Sequence, residues 1–158
     1  MTDATDIETL KRILQTARTI AIVGLSDKWH RPSYFVAKYL LDRDYRIIPV
    51  NPRHDEILGQ KCYPTLEAIP DEVDMVDLFQ RSEAVMPFVE SAIDMQVKFV
   101  WMQLGIRNEE AAEKARKKGI EVVMDRCPKI EYARLFGGLN WAGVNTGIIT
   151  ARRPRQVN

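Results

Sequence analysis

The chain has 158 residues but only two cysteines, two histidines and eight glycines, and its formal net charge is +1. Each shortage removes a class of function. Cys62 and Cys127 are widely separated and form no CxxC pair, so neither a thiolate metal site nor a redox motif is written into them. They are expected as free thiols of a cytoplasmic protein. The longest apolar runs, such as residues 99–102, are far too short to span a bilayer. A charge near zero gives no broad positive field, which argues against nucleic acid or an anionic membrane as the main partner. Residues 1–8 are polar and acidic, where a secretory signal needs a basic start and an apolar stretch. There is no H-E-x-x-H, no Ser-His-Asp signature and no clustered set of metal ligands, so no catalytic residue and no metal site is assigned.

What is present is an ordinary globular composition, 46% hydrophobic and 28% charged. That is enough chain and enough apolar surface for one core without staples, and a single domain over residues 1–158 is expected. Asp6 precedes Ile7, Leu10, Ile13 and Leu14 at helical spacing, which predicts an opening amphipathic helix. Five short apolar runs follow as predicted strands: residues 19–24, 46–50, 74–79, 98–104 and 120–124. Pro49 lacks an N–H, so the second strand is expected to end there or to bulge. Helical patterns lie between the strands: residues 34–42, a helix within 82–95 with Pro87 in its first turn, a helix from the Asn108 cap to Lys118, and a last one from Pro128 to before Gly137. Residues 139–158 carry glycines, a tryptophan and three arginines and are left unassigned.

Alternation of strand and helix predicts right-handed βαβ units and a three-layer α/β domain of Rossmann type. It would have a five-stranded parallel sheet, in the order 3-2-1-4-5, and helices on both faces. Such sheets bind ligands beyond the carboxyl ends of their strands. In the first of these loops Gly24 would let backbone approach a ligand, Ser26 and Ser33 offer hydroxyls, Lys28 and Arg31 add cationic donors, and a helix opening at Pro32-Ser33 would point free N–H groups at phosphate. The same residues would also suit a plain strand-to-helix turn. Only the first glycine of the dinucleotide fingerprint G-x-G-x-x-G survives, so the NAD signature is broken.

The second loop, Val50-Asn51-Pro52-Arg53, has no carboxylate to hold ribose hydroxyls. Its arginine would attract a phosphate on the adenosine ribose, which favours coenzyme A or NADP. An exposed turn bent by Pro52 is the alternative. Phe79 could flank an adenine or be core, and Arg81 could reach phosphate or be solvated. Gln103, ahead of Gly105, is an uncharged donor and acceptor suited to an amide such as a pantetheine arm. Cys127, just before a helix start, would have its thiolate favoured by the helix dipole and could meet a ligand's thiol end.

The set Ile22-Val-Gly-Leu-Ser26, Arg31-Pro-Ser33, Ile48-Pro-Val-Asn-Pro52, Val76-Asp-Leu-Phe79, Trp101-Met-Gln-Leu-Gly105 and Met124-Asp-Arg-Cys127 resembles the small stand-alone CoA-binding proteins of bacteria and archaea. These are relatives of the CoA-binding domain of the succinyl-CoA synthetase alpha subunit. The resemblance runs over roughly residues 6–135, and Gly143-Val-Asn-Thr-Gly147 is similar to the same small family. It implies that the first two strand-end loops hold the nucleotide part of coenzyme A, through Gly24, Ser26, Arg31, Ser33, Asn51, Pro52 and Arg53, with Cys127-Pro128 near the thiol end. The synthetase subunit also has a second domain with a phosphorylated histidine. His30 and His54 fall in the nucleotide loops and do not match it, so the synthetase reaction is not implied.

The expected function is therefore binding of coenzyme A or an acyl-CoA, without evident chemistry of its own. An NADP-dependent oxidoreductase or nicotinamide-responsive sensor is the alternative. A homo-oligomer or protein partner engaged through the Trp141-containing tail would be compatible with either.

Overall fold

A computed structural model of the chain describes residues 6–136; the tail discussed above lies outside them. The opening helix α1 (Ile7–Thr16) starts where Asp6 accepts the Thr9 N–H at 3.0 Å and buries Leu10, Ile13 and Leu14 along one face. Strand β1 (Thr19–Val23) follows, then α2 (Pro32–Leu41) and β2 (Arg46–Val50). Next comes a small antiparallel hairpin that the sequence pattern did not predict, β3 (Glu56–Ile57) with β4 (Gln60–Lys61). The chain then alternates through β5 (Met75–Leu78), α3 (Met86–Asp94), β6 (Phe99–Met102), α4 (Glu109–Lys117), β7 (Glu121–Val123) and α5 (Pro128–Phe136). In α4 the Asn108 side chain accepts the Ala111 N–H at 3.0 Å. Glutamates fill its first turn and Lys114, Arg116 and Lys117 its last, each sign matched to the helix dipole.

The five long strands form one parallel sheet in the order β2-β1-β5-β6-β7. Counting only these strands along the chain, the order is 2-1-3-4-5 and not the expected 3-2-1-4-5. The third long strand pairs with β1, Ile20 opposite Met75 and Val23 opposite Leu78, and β2 is left at the edge. Pro49 explains the difference. It lies within β2, opposite Ile22, and neither ends nor bulges the strand. The Arg46 N–H donates to Arg18 O and the Gly24 N–H to Val50 O, so the inner ladder is complete without the Pro49 nitrogen. That nitrogen faces outward, where an edge strand needs no donor. The outer side is closed instead by Tyr63, whose N–H donates to Pro49 O at 3.0 Å and whose carbonyl accepts the Asn51 N–H at 2.9 Å.

Apart from Asp77, the buried strand residues are apolar on both faces, as a sheet covered on both sides requires. Ala21, Val76, Val100 and Val122 pack under α3 and α4. Ile20, Ile22, Met75, Phe99, Trp101 and Val123 pack under α1, α2 and α5. The Trp101 side chain is fully buried and donates its indole N–H to Arg126 O at 2.8 Å. No described helix is long and apolar enough to cross a membrane.

One close approach fixes the carboxyl edge. Gly24 has φ +86°, and a Cβ there would lie 2.5 Å from the Phe79 carbonyl oxygen and 2.9 Å from the Gln80 side-chain nitrogen. Gly59 has a similar φ of +73° with nothing within 4 Å of its virtual Cβ. Gly59→Ala is therefore expected to cost about 1–2 kcal/mol of unfolding free energy in urea, from the left-handed conformation alone. Gly24→Ala adds a backbone clash and is expected to cost roughly 3–5 kcal/mol. Equal losses would show that Gly24 is needed only for its dihedral angles.

Candidate functional site

Strand order reverses between β1 and β5, which marks the crevice beyond their carboxyl ends as the ligand position in a sheet of this order. The loops there fall into two groups. On the β1–β2 side, residues 24–33 and 51–54 are laced together. The Ser33 hydroxyl, buried at the start of α2, accepts the Ser26 N–H, and Ser26 Oγ accepts the Lys28 N–H, both at 3.0 Å. Asn51 donates its side-chain N–H to Leu25 O at 3.0 Å and accepts the Arg53 N–H at 2.9 Å. His54 Nε2 lies 3.5 Å from Asp27 Oδ1, across the same two loops. Ser26, Ser33 and Asn51 thus shape the loops, and their polar atoms are largely engaged within them.

The cations of this group are differently placed. Lys28, Arg31 and Arg53 are exposed and have no ion-pair partner among the described residues. Arg31 is the N-cap of α2 but makes no side-chain cap bond, and Pro32 occupies the first helical position. The first turn of α2 is therefore uncapped by any side chain, with its positive dipole end facing the loop. Trp29, 71% exposed, adds apolar surface between these cations. Pro52 and Arg53 extend as an exposed turn beyond Val50, which is itself buried in the strand.

On the β5–β7 side the charged groups are paired. Arg81, mostly exposed, lies 3.4 Å from Glu83; Arg107 lies 2.9 Å from Glu109; Arg126 lies 3.7 Å from Glu131, which also pairs with Arg134. Phe79 is partly buried against the core under α2 and α5. Ser82 accepts the Arg107 N–H through its hydroxyl and a side-chain N–H of Asn108 through its carbonyl, both at 3.0 Å. The exposed Gly105 donates its N–H to Asp125 Oδ1 at 2.6 Å. Leu104, 61% exposed, lines this rim with apolar surface.

Beneath this rim lies a residue that sequence reasoning missed. Asp77 in β5 is fully buried, and Gln103 Nε2 donates to both its carboxylate oxygens, at 2.8 and 3.1 Å. Burial pushes the carboxyl up to about 7, against a partial opposing effect of the Gln103 bond. The signal in the sequence was an acidic residue in the interior of the run 74–79, flanked on both sides by apolar residues. Gln103 is found at the expected strand end, but its donor is spent on Asp77.

Cys127 is buried, 8% exposed, and close enough to Asp77 to feel its charge. The expected stabilisation of its thiolate does not prevail. N–H groups of the first turn of α5 do lower its pKa, but burial outweighs them and the thiol is pushed up. Cys62 is likewise buried and raised by desolvation. No group of three or more His, Cys, Asp or Glu side chains that could hold a metal is formed among the described residues. Two clefts, of ≈ 190 and ≈ 450 Å³, open at the other end of the sheet, around Arg18 and Tyr45 and around Val97 and Ile120. They lie at the amino ends of the strands, where sheets of this class do not place their ligands.

The sequence matches the family described as "CoA binding domain" over residues 18–133. It is 42% identical over 124 residues to "Uncharacterized protein YneT" of Bacillus subtilis (strain 168), covering 78% of this chain and 92% of that one. It is 29% identical over 140 residues to "Acetate--CoA ligase [ADP-forming] II" of Archaeoglobus fulgidus, covering 85% of this chain but only 20% of the ligase. A solved structure, "hypothetical protein from Pyrococcus horikoshii OT3", superposes with a TM-score of 0.81 at 42% identity, over 84% of this chain and 93% of that one.

The raised Asp77 carboxyl has a stability consequence with a definite sign. The folded state holds this proton more tightly than the unfolded state does. The resulting stabilisation is full below the ordinary value of 3.8 and is lost as pH rises through about 7. Compared with Asp77→Asn, the wild-type protein is expected to lose stability between pH 4 and pH 8, by up to ~4 kcal/mol. Urea unfolding across that range checks it, and parallel curves for the two proteins would show that Asp77 does not titrate there.

Proposed function

The chain belongs to the CoA-binding domain family, and on that premise we propose that it binds coenzyme A, or an acyl-CoA, across the carboxyl ends of β1, β5 and β6, with the nucleotide end over the first two loops. The observation that carries this reading is the distribution of uncommitted charge. Lys28, Arg31 and Arg53 are exposed and without ion-pair partners among the described residues; the first two lead into an α2 N-terminus that its N-cap side chain does not cap, and Arg53 lies on the neighbouring loop tied to it through Asn51. Phosphate groups are the natural occupants of such a place. Arg53, on the loop after β2, is in the part of the fold that meets the adenosine ribose.

The far side of the crevice offers no comparable charge. Arg81, Arg107 and Arg126 are each held by a glutamate, and Gln103 and Leu104 present neutral surface. A ligand with several phosphates at one end and an uncharged arm at the other fits that division. An NADP-type ligand would share the first half of the site but carries a second nucleotide phosphate and ribose toward the neutral half.

Calorimetric titration tests the reading. Coenzyme A is expected to bind, and 3′-dephospho-CoA to bind about 10- to 100-fold more weakly, the equivalent of one charge-assisted hydrogen bond. Arg53→Ala is expected to bring the two ligands to similar affinity. Saturation by NADPH with no response to coenzyme A would overturn the proposal.

A further inference from the structure

The Asp77–Gln103 pair determines which end of an amide faces the crevice. Asp77 and Gln103 lie on the same face of neighbouring strands, since Asp77 is opposite Trp101 and Gln103 is two residues further on. Both Asp77 oxygens accept from Gln103 Nε2, so the nitrogen end of the Gln103 amide is turned into the core. Its oxygen has no partner among the described residues. Yet no buried side-chain nitrogen or oxygen there is left unpaired. The Gln103 oxygen is therefore the polar atom through which this 5% exposed residue reaches the crevice.

We propose that Asp77 is a positioning residue that holds the Gln103 amide oxygen outward, making this point of the crevice an acceptor for an N–H of the ligand's pantetheine arm. This rests on the coenzyme A reading above. The arm's amides are the N–H groups that a ligand anchored by its phosphates at β1 would bring two strands across to β6; two strand spacings are roughly 10 Å. A thioester or ketone carbonyl at the same point would meet oxygen against oxygen and be repelled.

The arrangement also explains why a buried carboxylate is kept in this core, where an apolar residue would pack at no electrostatic cost. When ionised, Asp77 can only accept, and it locks the amide with nitrogen inward. When protonated it has an O–H to donate, and the amide can turn over and show its nitrogen to the crevice. The carboxyl is pushed up to about 7, so both states are reached near neutrality.

Few other charges intrude on this pair. The residues that α1 buries on this face are apolar, and those of α2 are apolar apart from Ser33. Cys127, in the turn before α5, interacts with Asp77, and its burial keeps the thiol neutral through this range. From α5, Lys129 acts on Cys127, and Glu131 is taken up by Arg126 and Arg134.

The test compares coenzyme A with adenosine 3′,5′-bisphosphate, which has the nucleotide phosphates but no arm, by calorimetry at pH 8. In Asp77→Asn the new amide can donate to the Gln103 oxygen and turn it inward. Coenzyme A is expected to bind at least about 5-fold more weakly to Asp77→Asn and to Gln103→Leu, an effect of one neutral hydrogen bond. The bisphosphate is expected to bind both variants as it binds wild type, which also reports an intact rim. Asp77→Asn added to Gln103→Leu should have no further effect.

A second measurement does not need an Asp77 variant to fold. Between pH 8 and pH 6, the preference of wild type for coenzyme A over the bisphosphate should fall more steeply than that of Gln103→Leu. If wild type binds coenzyme A but the preference is unmoved by either substitution, or follows the same pH course in wild type and Gln103→Leu, this inference fails and the binding site stands. If wild type binds neither ligand, the coenzyme A reading itself fails.

Discussion

The carboxyl edge of the sheet depends on one backbone contact, the approach of Gly24 to the carbonyl oxygen of Phe79. It lies where strand order reverses, so the loops on either side diverge from it. Residues 24–33 and 51–54 are bound to each other through Asn51 and the Asp27–His54 contact, and the Ser33 hydroxyl braces the first of them internally by accepting the Ser26 N–H. The loops after β5, β6 and β7 are bound to each other through Ser82, Asn108 and the Gly105–Asp125 hydrogen bond. Each set is braced internally, and Gly24 sets how closely the two begin. A side chain at that point would wedge the sets apart before any ligand met them.

Bracing and binding are divided between residue types. Most of the uncharged polar side chains after β1 and β2 are consumed in holding loop shape, while the cations there are left without ion pairs. After β5 to β7, Arg81, Arg107 and Arg126 are paired to glutamates, and the Gln103 amide nitrogen is held by Asp77. An exposed ion pair contributes little stability, but it does remove a positive charge from the rim. The result is a difference in available charge between the two sides of the crevice, which on the proposed reading orients a ligand that is anionic at one end only.

Much of this was legible in the sequence because local chemistry decided it. The Asp6 and Asn108 caps, the apolar runs, and Pro87 and Pro128 in the first turns of α3 and α5 each mark an element by a local rule, and each element is found where those residues put it. Strand order is not local, yet it was partly encoded. A strand with proline in its interior belongs at an edge, so Pro49 already spoke against placing the second strand between two others. The β3–β4 hairpin was missed because four paired residues give no measurable alternation. Lys28, Arg31 and Arg53 could be picked out as cations in strand-end loops. The engagement of Ser26, Ser33 and Asn51 by neighbouring loops could not, because it is set by tertiary distance.

Asp77 and Cys127 show the same limit acting through burial. The position of Cys127 before a helix was visible in the sequence, and the helix does act on it in the expected direction. Its depth under α5 was not visible, and depth wins: a thiol with 8% exposure loses more from desolvation than it gains from the first turn of a helix. Since thiolate is the species that attacks a disulfide, Cys127 is less reactive in the folded protein than its helix-start position implies. The same low-polarity setting that suppresses the thiolate also raises the Asp77 carboxyl and strengthens its hydrogen bond to Gln103. On the proposed reading, what the crevice offers the uncharged end of a ligand is an oriented amide over a buried carboxyl, with the nearby sulfur held neutral.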